Sequence, residues 1–450
     1  MKTTISKMSK QSMVTLMLIS VFALSLLGSC RKGNHYPNHP SKHSSEVLEK
    51  WMDLQLRLMR NTTGVPNHGF SRHYAYSGVA AVVSLAPGLK NMHGKWNGLT
   101  GLPQRKHWKE YYFPANVNAA MASINRSFFP NSNAADKAAI DSLEAALNQK
   151  FLTTQSQSII TTSSIFGKAV AAAVYNWAET DGYKNASNAY TPPVGPGLWE
   201  PTPPNMSAPA TPYWGNNRTI VYGSTQNAQP PAPPVYSTDP KSPFYQMVKQ
   251  VYDASQTLTD DQKAMAIFWR DVPGGATSPG HWLSILLQVV RQKTTSLDDA
   301  ALAYALTGIA INDALISCFQ SKYQHNLVRP ITYIREVMGY SAWNSYLGTP
   351  AHPEYTSAHA ALSSAAAAVM EKLFGNIGSF TDHTYDYLGF APRTYISFTA
   401  IGEEAGLSRL YAGIHYQQSI DAGLYQGRKI ADNILRSTSI FTGSNKFSDK

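Results

Sequence analysis

The segment from His352 to His359 holds the residue types and spacing that best suit chemistry on an anion. It reads HPEYTSAH and is followed at once by the alanine-rich run AALSSAAAAVMEKLF, so Thr356 and Ser357 are predicted to begin a helix. The first amides of a helix have no partner within it and lie at the positive end of its dipole. Two histidines seven residues apart flank this end. The segment therefore predicts a bound oxyanion with imidazole groups beside it.

Three groups at the start of this helix could act directly on such an anion. The amides of Ser357 and Ala358, together with the Ser357 hydroxyl, could bind two of its oxygens. His359 lies on the first turn and could exchange a proton with the ligand near neutral pH. A helix cap followed by an exposed histidine is the alternative interpretation of the same residues.

A basic pair, Lys322 and Arg329, precedes this segment at the end of a long apolar pattern. Pro330 biases Arg329 out of the helical region, so Lys322 is predicted near a helix end and Arg329 on the loop beyond it. From there both cations could converge on one anion. The alternative is that they are positive charges favoured by the negative end of the helix dipole.

A second basic cluster follows in the sequence Ser408-Arg409-Leu-Tyr-Ala-Gly413-Ile-His415. Gly413 can end one helix in a left-handed conformation before the next begins, which places Arg409 and His415 on either side of a turn. A bidentate guanidinium suits an oxyanion. A single histidine beside a turn is usually structural, so only the three stretches taken together indicate a site.

In that order, Lys-X6-Arg-Pro, Ser-X-His and Ser-Arg-X5-His resemble the motifs of the superfamily of type 2 phosphatidic acid phosphatases and vanadium-dependent haloperoxidases. The motifs span residues 322–421. The segments PVGPGLW, TDDQKAMAIFW and PGHW resemble the secreted bacterial branch that is usually grouped with vanadium haloperoxidases.

The resemblance implies which residues hold the anion. Lys322, Arg329 and Arg409 would neutralise the equatorial oxygens of vanadate, or of phosphate in the same site. Ser357 and the Ala358 amide would donate hydrogen bonds to them.

The resemblance also implies three roles for histidines. His415 would ligate vanadium, or attack phosphorus as the nucleophile of a phosphatase. His359 would be the acid/base, assisting peroxide binding or protonating a leaving alcohol. His352 stands where bromide-using members carry an extra histidine, which favours the peroxidase; the alternative is an ordinary loop histidine.

The sequence departs from the superfamily pattern at three positions. Thr356 replaces the motif proline, and Ala358 replaces the motif glycine, so that a methyl group crowds the oxyanion side. Ser419 stands where an aspartate four residues after the final histidine would orient and charge-balance it, and a serine cannot supply that charge. Asp421 is predicted to point elsewhere. These changes weaken the phosphatase hypothesis most and leave room for a low-activity or repurposed protein.

Three functions follow as hypotheses. The first is a vanadium-dependent haloperoxidase-like enzyme that oxidises halide with hydrogen peroxide, the vanadium acting as a Lewis acid. The second is an acid phosphatase that acts on phosphomonoesters through a phospho-histidine at His415. The third is a non-catalytic lipoprotein that binds an oxyanion.

The elements that must position these residues are predicted to be helices. Apolar residues recur at three- and four-residue intervals from residue 45 to 183 and from 242 to 436, and no strand pattern is evident. Residues 184–240 are dense in proline, glycine and asparagine and predict a long irregular segment. Its Trp199, Tyr213 and Trp214 are predicted to pack on the surface of the helices. The chain is thus predicted to be all-α, with one domain over 46–440 and its active site within 310–436.

The N-terminus reads as an export signal rather than as part of this domain. Lys2, Lys7 and Lys10 form a positive region before the apolar run 13–27, whose 15 residues are too few to span a membrane. The run ends in LGSC, which resembles a bacterial lipoprotein box with Cys30 as the lipidated residue. The alternative is an ordinary signal cleaved near a chance cysteine.

Residues 31–45 are polar and predict a flexible tether between the lipid and the domain. The lipid anchor predicts a protein at the membrane, most simply the outer membrane, facing the periplasm or the surface. The net charge of +10 includes three signal lysines, which leaves 10 − 3 = +7 and a mild bias towards anionic partners. No dense run of lysine and arginine is interleaved with aromatic residues, which argues against nucleic acid as a partner.

Overall fold

The computed structural model describes residues 39–89, 98–106, 108–272 and 274–438. Within these ranges the chain is built of α-helices, as the spacing of its apolar residues predicts. This part of the chain contains thirteen of them: α1 (Glu46–Asn61), α2 (Phe70–Ser84), α3 (Phe113–Phe128), α4 (Ala134–Leu152), α5 (Gln157–Ala178), α6 (Pro243–Gln256), α7 (Asp260–Phe268), α8 (Ser278–Lys293), α9 (Leu297–His325), α10 (Pro330–Glu336), α11 (Ala358–Phe374), α12 (Phe398–Tyr411) and α13 (Gln417–Thr438).

The central element is α9, which is buried along almost its whole length. Its alanines and leucines favour a helix, and Asn326 ends it in a left-handed conformation (φ 46°). Helix α2 crosses it at Gly78, where an added Cβ would lie only 2.6 Å from the Cα of Ala305. The last turn of α9 carries Lys322 into the region where the three motif stretches meet.

The alanine-rich helix α11 packs between α9, α12 and α13 because its small side chains allow close approach. Gly427 of α13 makes the tightest of these contacts, since an added Cβ would lie 2.0 Å from the carbonyl oxygen of Ala361. This packing fixes the start of α11, at Ser357, beside the turn between α12 and α13 that carries His415.

The proline-rich segment is irregular, as predicted, and it is attached to the helices at several points. The side chains of Trp199 and Trp214 are fully buried, as expected for aromatic residues that pack the segment against the helices. Asp313 of α9 anchors the segment by accepting hydrogen bonds from the backbone amides of Ile220 (2.9 Å) and Val221 (3.2 Å). The segment is therefore held to the core through its backbone as well as its aromatic rings.

One small antiparallel ribbon corrects the prediction of a chain without strands. Strand β1 (Phe380–Asp382) pairs with β2 (Arg393–Tyr395), with Asp382 opposite Arg393. Each strand has only three residues, too short for an alternating pattern to be recognised in the sequence. The ribbon matters because it carries the Asp382 carboxylate into the interior, where it is fully buried.

Several local predictions are confirmed. Arg329 has an extended conformation (φ −79°, ψ 151°) before Pro330, and Gly413 is left-handed (φ 76°) between α12 and α13. The TDDQ sequence at the start of α7 forms a capping box between Thr259 and Gln262. These residues fix the chain direction at the points where the motif stretches enter the site.

The folded domain begins at Pro40, within the segment 31–45 predicted to be a flexible tether. Pro40–Lys42 form a turn of 3-10 helix, and Ser44 pairs with Ser296 ahead of α9, so residues 40–45 belong to the domain. The described residues from Pro40 onward form one compact unit. Cys30 and residues 31–38 lie outside the described residues.

Within the part of the chain that the structure describes, two helices, α5 and α9, are long and apolar enough by composition to cross a membrane. The apolar window of α9 is 94% buried by the rest of the chain, as expected for the core helix of a globular domain. The apolar window of α5 is 44% buried.

Candidate active site

The three motif stretches meet at one cavity of about 270 Å³. Five of the residues predicted for the site line it: His352, Ala358, His359, Arg409 and His415. The other three, Lys322, Arg329 and Ser357, are fully buried and do not line it. The structure therefore brings five of the eight predicted residues to one cavity and places the other three in the protein interior.

His415, which lines the cavity, has a different partner at each ring nitrogen. Its Nδ1 lies 2.7 Å from Oε1 of Glu354, and its Nε2 lies 3.3 Å from Nη1 of Arg329. Burial, and then the positive charges of Arg329 and Lys322, hold the pKa of His415 well below its usual value. A neutral ring whose Nδ1–H is donated to a carboxylate carries its lone pair on Nε2, the form required of a metal ligand or a nucleophile.

Glu354 supplies the carboxylate partner of His415 that Ser419, in place of the motif aspartate, does not provide. Besides the His415 ring, its Oε1 accepts the Tyr416 amide (3.0 Å), and its Oε2 accepts the Ser419 hydroxyl. Burial raises the pKa of Glu354, while Arg329 and the Ser419 hydroxyl oppose that rise. The expectation that Ser419 leaves His415 without a charge-balancing partner is therefore wrong, because Ser419 orients a glutamate from another stretch.

Arg329 links His415 to His352. Its Nη2 lies 2.9 Å from His352 Nδ1, and its Nε donates to the His352 carbonyl at 2.9 Å. Burial lowers the pKa of Arg329 to about 10, which leaves the guanidinium charged at neutral pH. The His352 ring also packs against Phe319, with 5.4 Å between ring centroids. His352 is thus held in place at the cavity wall by a cation and an aromatic ring.

Lys322 does not meet the prediction of direct contact with the anion. Its ammonium donates to three backbone carbonyls, those of Pro353 (3.0 Å), Glu354 (3.0 Å) and Thr356 (2.6 Å). These bonds use all three of its N–H groups. Burial lowers the pKa of Lys322 to about 8. Lys322 therefore shapes the loop before α11 and acts on the cavity through its charge.

The start of α11 presents two hydrogen-bond donors. The Ser357 hydroxyl is buried and has no hydrogen-bond partner within the part of the chain that the structure describes. The Ala358 amide is at the first helical position, where the carbonyl four residues earlier lies outside the helix. The Ser357 amide, in contrast to the prediction, is already bonded to the carbonyl of Ser419 (3.0 Å).

Arg409 brings a second guanidinium to the cavity from the last turn of α12. Its Nε donates to the Ser408 hydroxyl (3.0 Å) and its Nη2 to the Ala266 carbonyl (3.2 Å), which fix the plane of the group. No carboxylate forms an ion pair with Arg409 among the described residues, although the charge of Asp271 raises the pKa of Arg409 and so opposes the effect of burial. Burial lowers the pKa of Arg409 to about 10, so it remains a cation without a paired anion.

His359 faces two residues that the sequence interpretation missed. Its Nε2 lies 3.1 Å from the Ser278 hydroxyl and 3.4 Å from Oδ2 of Asp271. Burial, and then Arg409, lower the pKa of His359, while Asp271 opposes that fall. Ser278 begins the helix that contains the PGHW motif, and Asp271 follows the TDDQKAMAIFW motif, so both resembling segments lead to residues at the site.

Comparisons with known proteins agree with this geometry. The family model for the VCPO second helical-bundle domain matches residues 302–443. The structure described as the first bacterial vanadium-dependent iodoperoxidase is 30% identical, with a TM-score of 0.78, covering 88% of this chain and 96% of that one. This chain belongs to the vanadium-dependent haloperoxidase family.

More distant members of the superfamily share the fold of this haloperoxidase-family protein. The apo and holo forms of a bacterial vanadium-dependent chloroperoxidase are 17% and 18% identical to it, each with a TM-score of 0.65. The alignments cover 84% and 86% of this chain and 94% of each of the other chains. No curated protein matches the sequence significantly.

The residues of this haloperoxidase-family site fit an oxyanion such as vanadate. Arg409 is a buried cation without a paired carboxylate, and the Ser357 hydroxyl is a buried donor without a partner among the described residues. The Ala358 amide and the His415 Nε2 complete a set of donors and one nitrogen ligand around the same cavity. Burying such groups unpaired is costly, and a bound anion relieves that cost.

Proposed function

We propose that this protein is a vanadium-dependent haloperoxidase, which oxidises a halide with hydrogen peroxide at a histidine-bound vanadate. The observation that carries the proposal is the cavity lined by Arg409, Ala358 and His415. Behind this lining, Arg329 lies 3.3 Å from His415 Nε2, and the buried Ser357 hydroxyl, next to Ala358, has no partner among the described residues. Membership of the family and the 30% identity to an iodoperoxidase support it.

In this proposal the anion is held by residues with distinct tasks. Vanadate would supply a Lewis acid that polarises peroxide without changing oxidation state. His415 Nε2 would be its protein ligand, and Arg329, Arg409, Ser357 and the Ala358 amide would bind its oxygens. Because hydrogen bonds to the protein already orient His415 and the two guanidinium groups, these three side chains need little rearrangement to stabilise charge at the site.

The remaining histidines divide the proton and substrate tasks. His359, hydrogen-bonded to Ser278 and facing Asp271, would accept or return the proton of peroxide at the cavity. His352 would face the halide, since it lines the cavity and is held by Arg329. Iodide is the expected preferred halide because it is the most easily oxidised and because the 30% identical relative is an iodoperoxidase.

Reconstitution with vanadate tests this proposal directly. The protein freed of anions and then supplied with vanadate is expected to oxidise iodide with hydrogen peroxide, measured as triiodide absorbance, and activity is expected to fall as phosphate is added. Phosphate competes for the same donors, so its inhibition serves as the control for a specific site. Vanadate-independent oxidation, or none with any halide, would argue against the proposal.

Glu354 is a specific reason to keep an acid phosphatase as the second candidate. By accepting the His415 Nδ1 proton it restores the orientation that a nucleophilic histidine needs. The same sample should then hydrolyse a nitrophenyl phosphate, with vanadate as inhibitor rather than activator. Silence in both assays with retained binding of phosphate would indicate a non-catalytic oxyanion-binding protein.

We further propose that the mature protein is attached to the membrane through a lipid on Cys30 and that its active site lies outside the cytoplasm. The proposal rests on the signal-like residues 1–30. Metabolic labelling with a tritiated fatty acid is expected to mark the wild-type protein and not the Cys30→Ser variant. Labelling of both proteins would contradict it.

A further inference from the structure

A buried histidine lies between two carboxylates behind His359. His281, on the first turn of α8, places Nδ1 2.9 Å from Oδ1 of Asp271 and Nε2 2.8 Å from Oδ2 of Asp382. All three side chains are at most 1% exposed. None of the tasks assigned above uses His281 or Asp382, and neither residue lines the cavity.

The hydrogen bonds around the two carboxyl groups determine the protonation of this histidine. Asp271 Oδ1 also accepts the Tyr385 hydroxyl (2.6 Å), and Asp382 Oδ1 accepts the amide (2.9 Å) and hydroxyl (2.6 Å) of Thr384. Both carboxyl groups are thus surrounded by donors and act as acceptors. A ring that donates to an acceptor from each nitrogen must carry both protons, which makes His281 an imidazolium.

Two further observations agree with a charged ring. The indole of Trp269 is stacked on it, with 4.2 Å between ring centroids and 22° between planes, an arrangement that favours a cation. Burial lowers the pKa of His281, but Asp271 and Asp382 outweigh burial and raise that pKa to about 10.

The array reaches His359 through the other oxygen of Asp271. Oδ2 of Asp271 lies 3.4 Å from His359 Nε2, while Oδ1 is held by His281. Ser278, which also contacts His359 Nε2, lies on the same turn of α8 as His281. One helix end therefore fixes both partners of His359, directly through Ser278 and indirectly through Asp271.

We propose that His281 is a positioning residue for His359: an imidazolium, secured by Asp382, holds one oxygen of Asp271, directs the other oxygen at His359 and offsets part of the negative charge of Asp271. This inference rests on the proposed function, in which His359 moves the proton. The charged groups that face His359 are Arg409, Asp271 and, behind Asp271, His281. Those that face His281 are Asp271 and Asp382.

The positive charge of His281 partly offsets the negative charge of Asp271. Loss of the His281 charge is therefore expected to raise the pKa of His359. In Asp382→Asn, His281 keeps only one carboxylate and loses its second acceptor charge, so its ring is expected to become neutral. His359 then faces an uncompensated Asp271, and its pKa is expected to rise by roughly 0.5–1 unit.

The test follows the histidine rings by nuclear magnetic resonance in the full chain labelled with ¹⁵N-histidine, without vanadate. In the wild type, both ring nitrogens of His281, assigned by their absence in His281→Gln, are expected to show imidazolium shifts up to about pH 9. If His281→Gln does not fold, the near-isosteric Asp382→Asn, which alters the same signal, serves for assignment. A neutral His281 ring at pH 8 would overturn the inference.

The second measurement separates positioning from a merely structural role. Asp382→Asn is expected to raise the pKa of His359 and to move the acid limb of the pH–rate profile to higher pH, whereas Asp136→Asn, a buried carboxylate bonded to Arg57 and Asn61, should move neither. An unchanged His359 pKa in a folded Asp382→Asn variant would refute the coupling. Because the spectra need no turnover, they remain decisive even if the protein proves not to be a haloperoxidase.

Discussion

Replacing His415 by alanine is expected to abolish vanadate-dependent halide oxidation, with a loss of more than about 100-fold, the lower range for removing one preorganised group from an anion site. The variant removes the imidazole that is proposed to bind vanadate and leaves Arg329 without its 3.3 Å neighbour. The guanidinium groups and the Ser357 hydroxyl remain, so weak electrostatic attraction for an anion should persist while specific binding is lost.

Binding can be measured separately from activity by heating the protein with and without vanadate. A ligand present at 100 times its Kd stabilises a folded protein by about 2.7 kcal/mol, which gives a clear rise in Tm. That rise is expected in the wild type and in His383→Ala, which alters a half-exposed histidine paired with Asp386. It should be absent in His415→Ala. Equal stabilisation of His415→Ala would mean that the anion is not bound at His415.

The local parts of the site could be predicted from the sequence because each depends on residues close in the chain. Pro330 sets the extended conformation of Arg329, Gly413 permits the turn before His415, and the residues before the alanine-rich run set the start of α11. Such signals act over a few residues, so they fix where a side chain leaves the backbone. These local signals do not determine which distant residues the side chain contacts.

The partners of the motif histidines could not be predicted because they come from distant stretches. Glu354 is 61 residues from His415, and Asp271 is 88 residues before His359 (359 − 271 = 88). No periodicity links such positions; they meet only because α11 packs closely on α9, α12 and α13. Glu354 even lies within the segment HPEYTSAH that first indicated the site, yet its partner is on another turn.

Lys322 is a second residue whose position could be predicted from the sequence but whose hydrogen-bond partners could not. The sequence places it correctly in the last turn of α9, and the motif implies contact with an oxygen of the anion. In the folded chain the loop 353–356 turns its carbonyls towards the ammonium, which satisfies all three donors. Buried backbone carbonyls need partners, so the loop competes with the anion for this cation.

Exchanging Glu354 for glutamine is expected to reduce vanadate affinity by about 10–100-fold, the usual effect of losing a partner that orients a metal-ligating histidine. Glutamine keeps the size of the side chain and one carbonyl oxygen for the His415 Nδ1–H and the Tyr416 amide, so it removes the charge and little else. The fold should survive, and the loss should therefore appear in vanadate binding and in activity together.

Two further variants test whether the charge or the shape of the Glu354 side chain accounts for the expected loss of vanadate affinity. Ser419→Ala removes only the hydroxyl that donates to Oε2 of Glu354, so it should cost less than Glu354→Gln. The double variant Glu354→Gln with Ser419→Asp returns a carboxylate to the position where the superfamily pattern has one, and it should recover part of the lost affinity. If Glu354→Gln binds vanadate as tightly as the wild type, the carboxylate charge does not support His415. The departure at Ser419 would then be an uncompensated loss, which would favour a protein that binds oxyanions without turning them over.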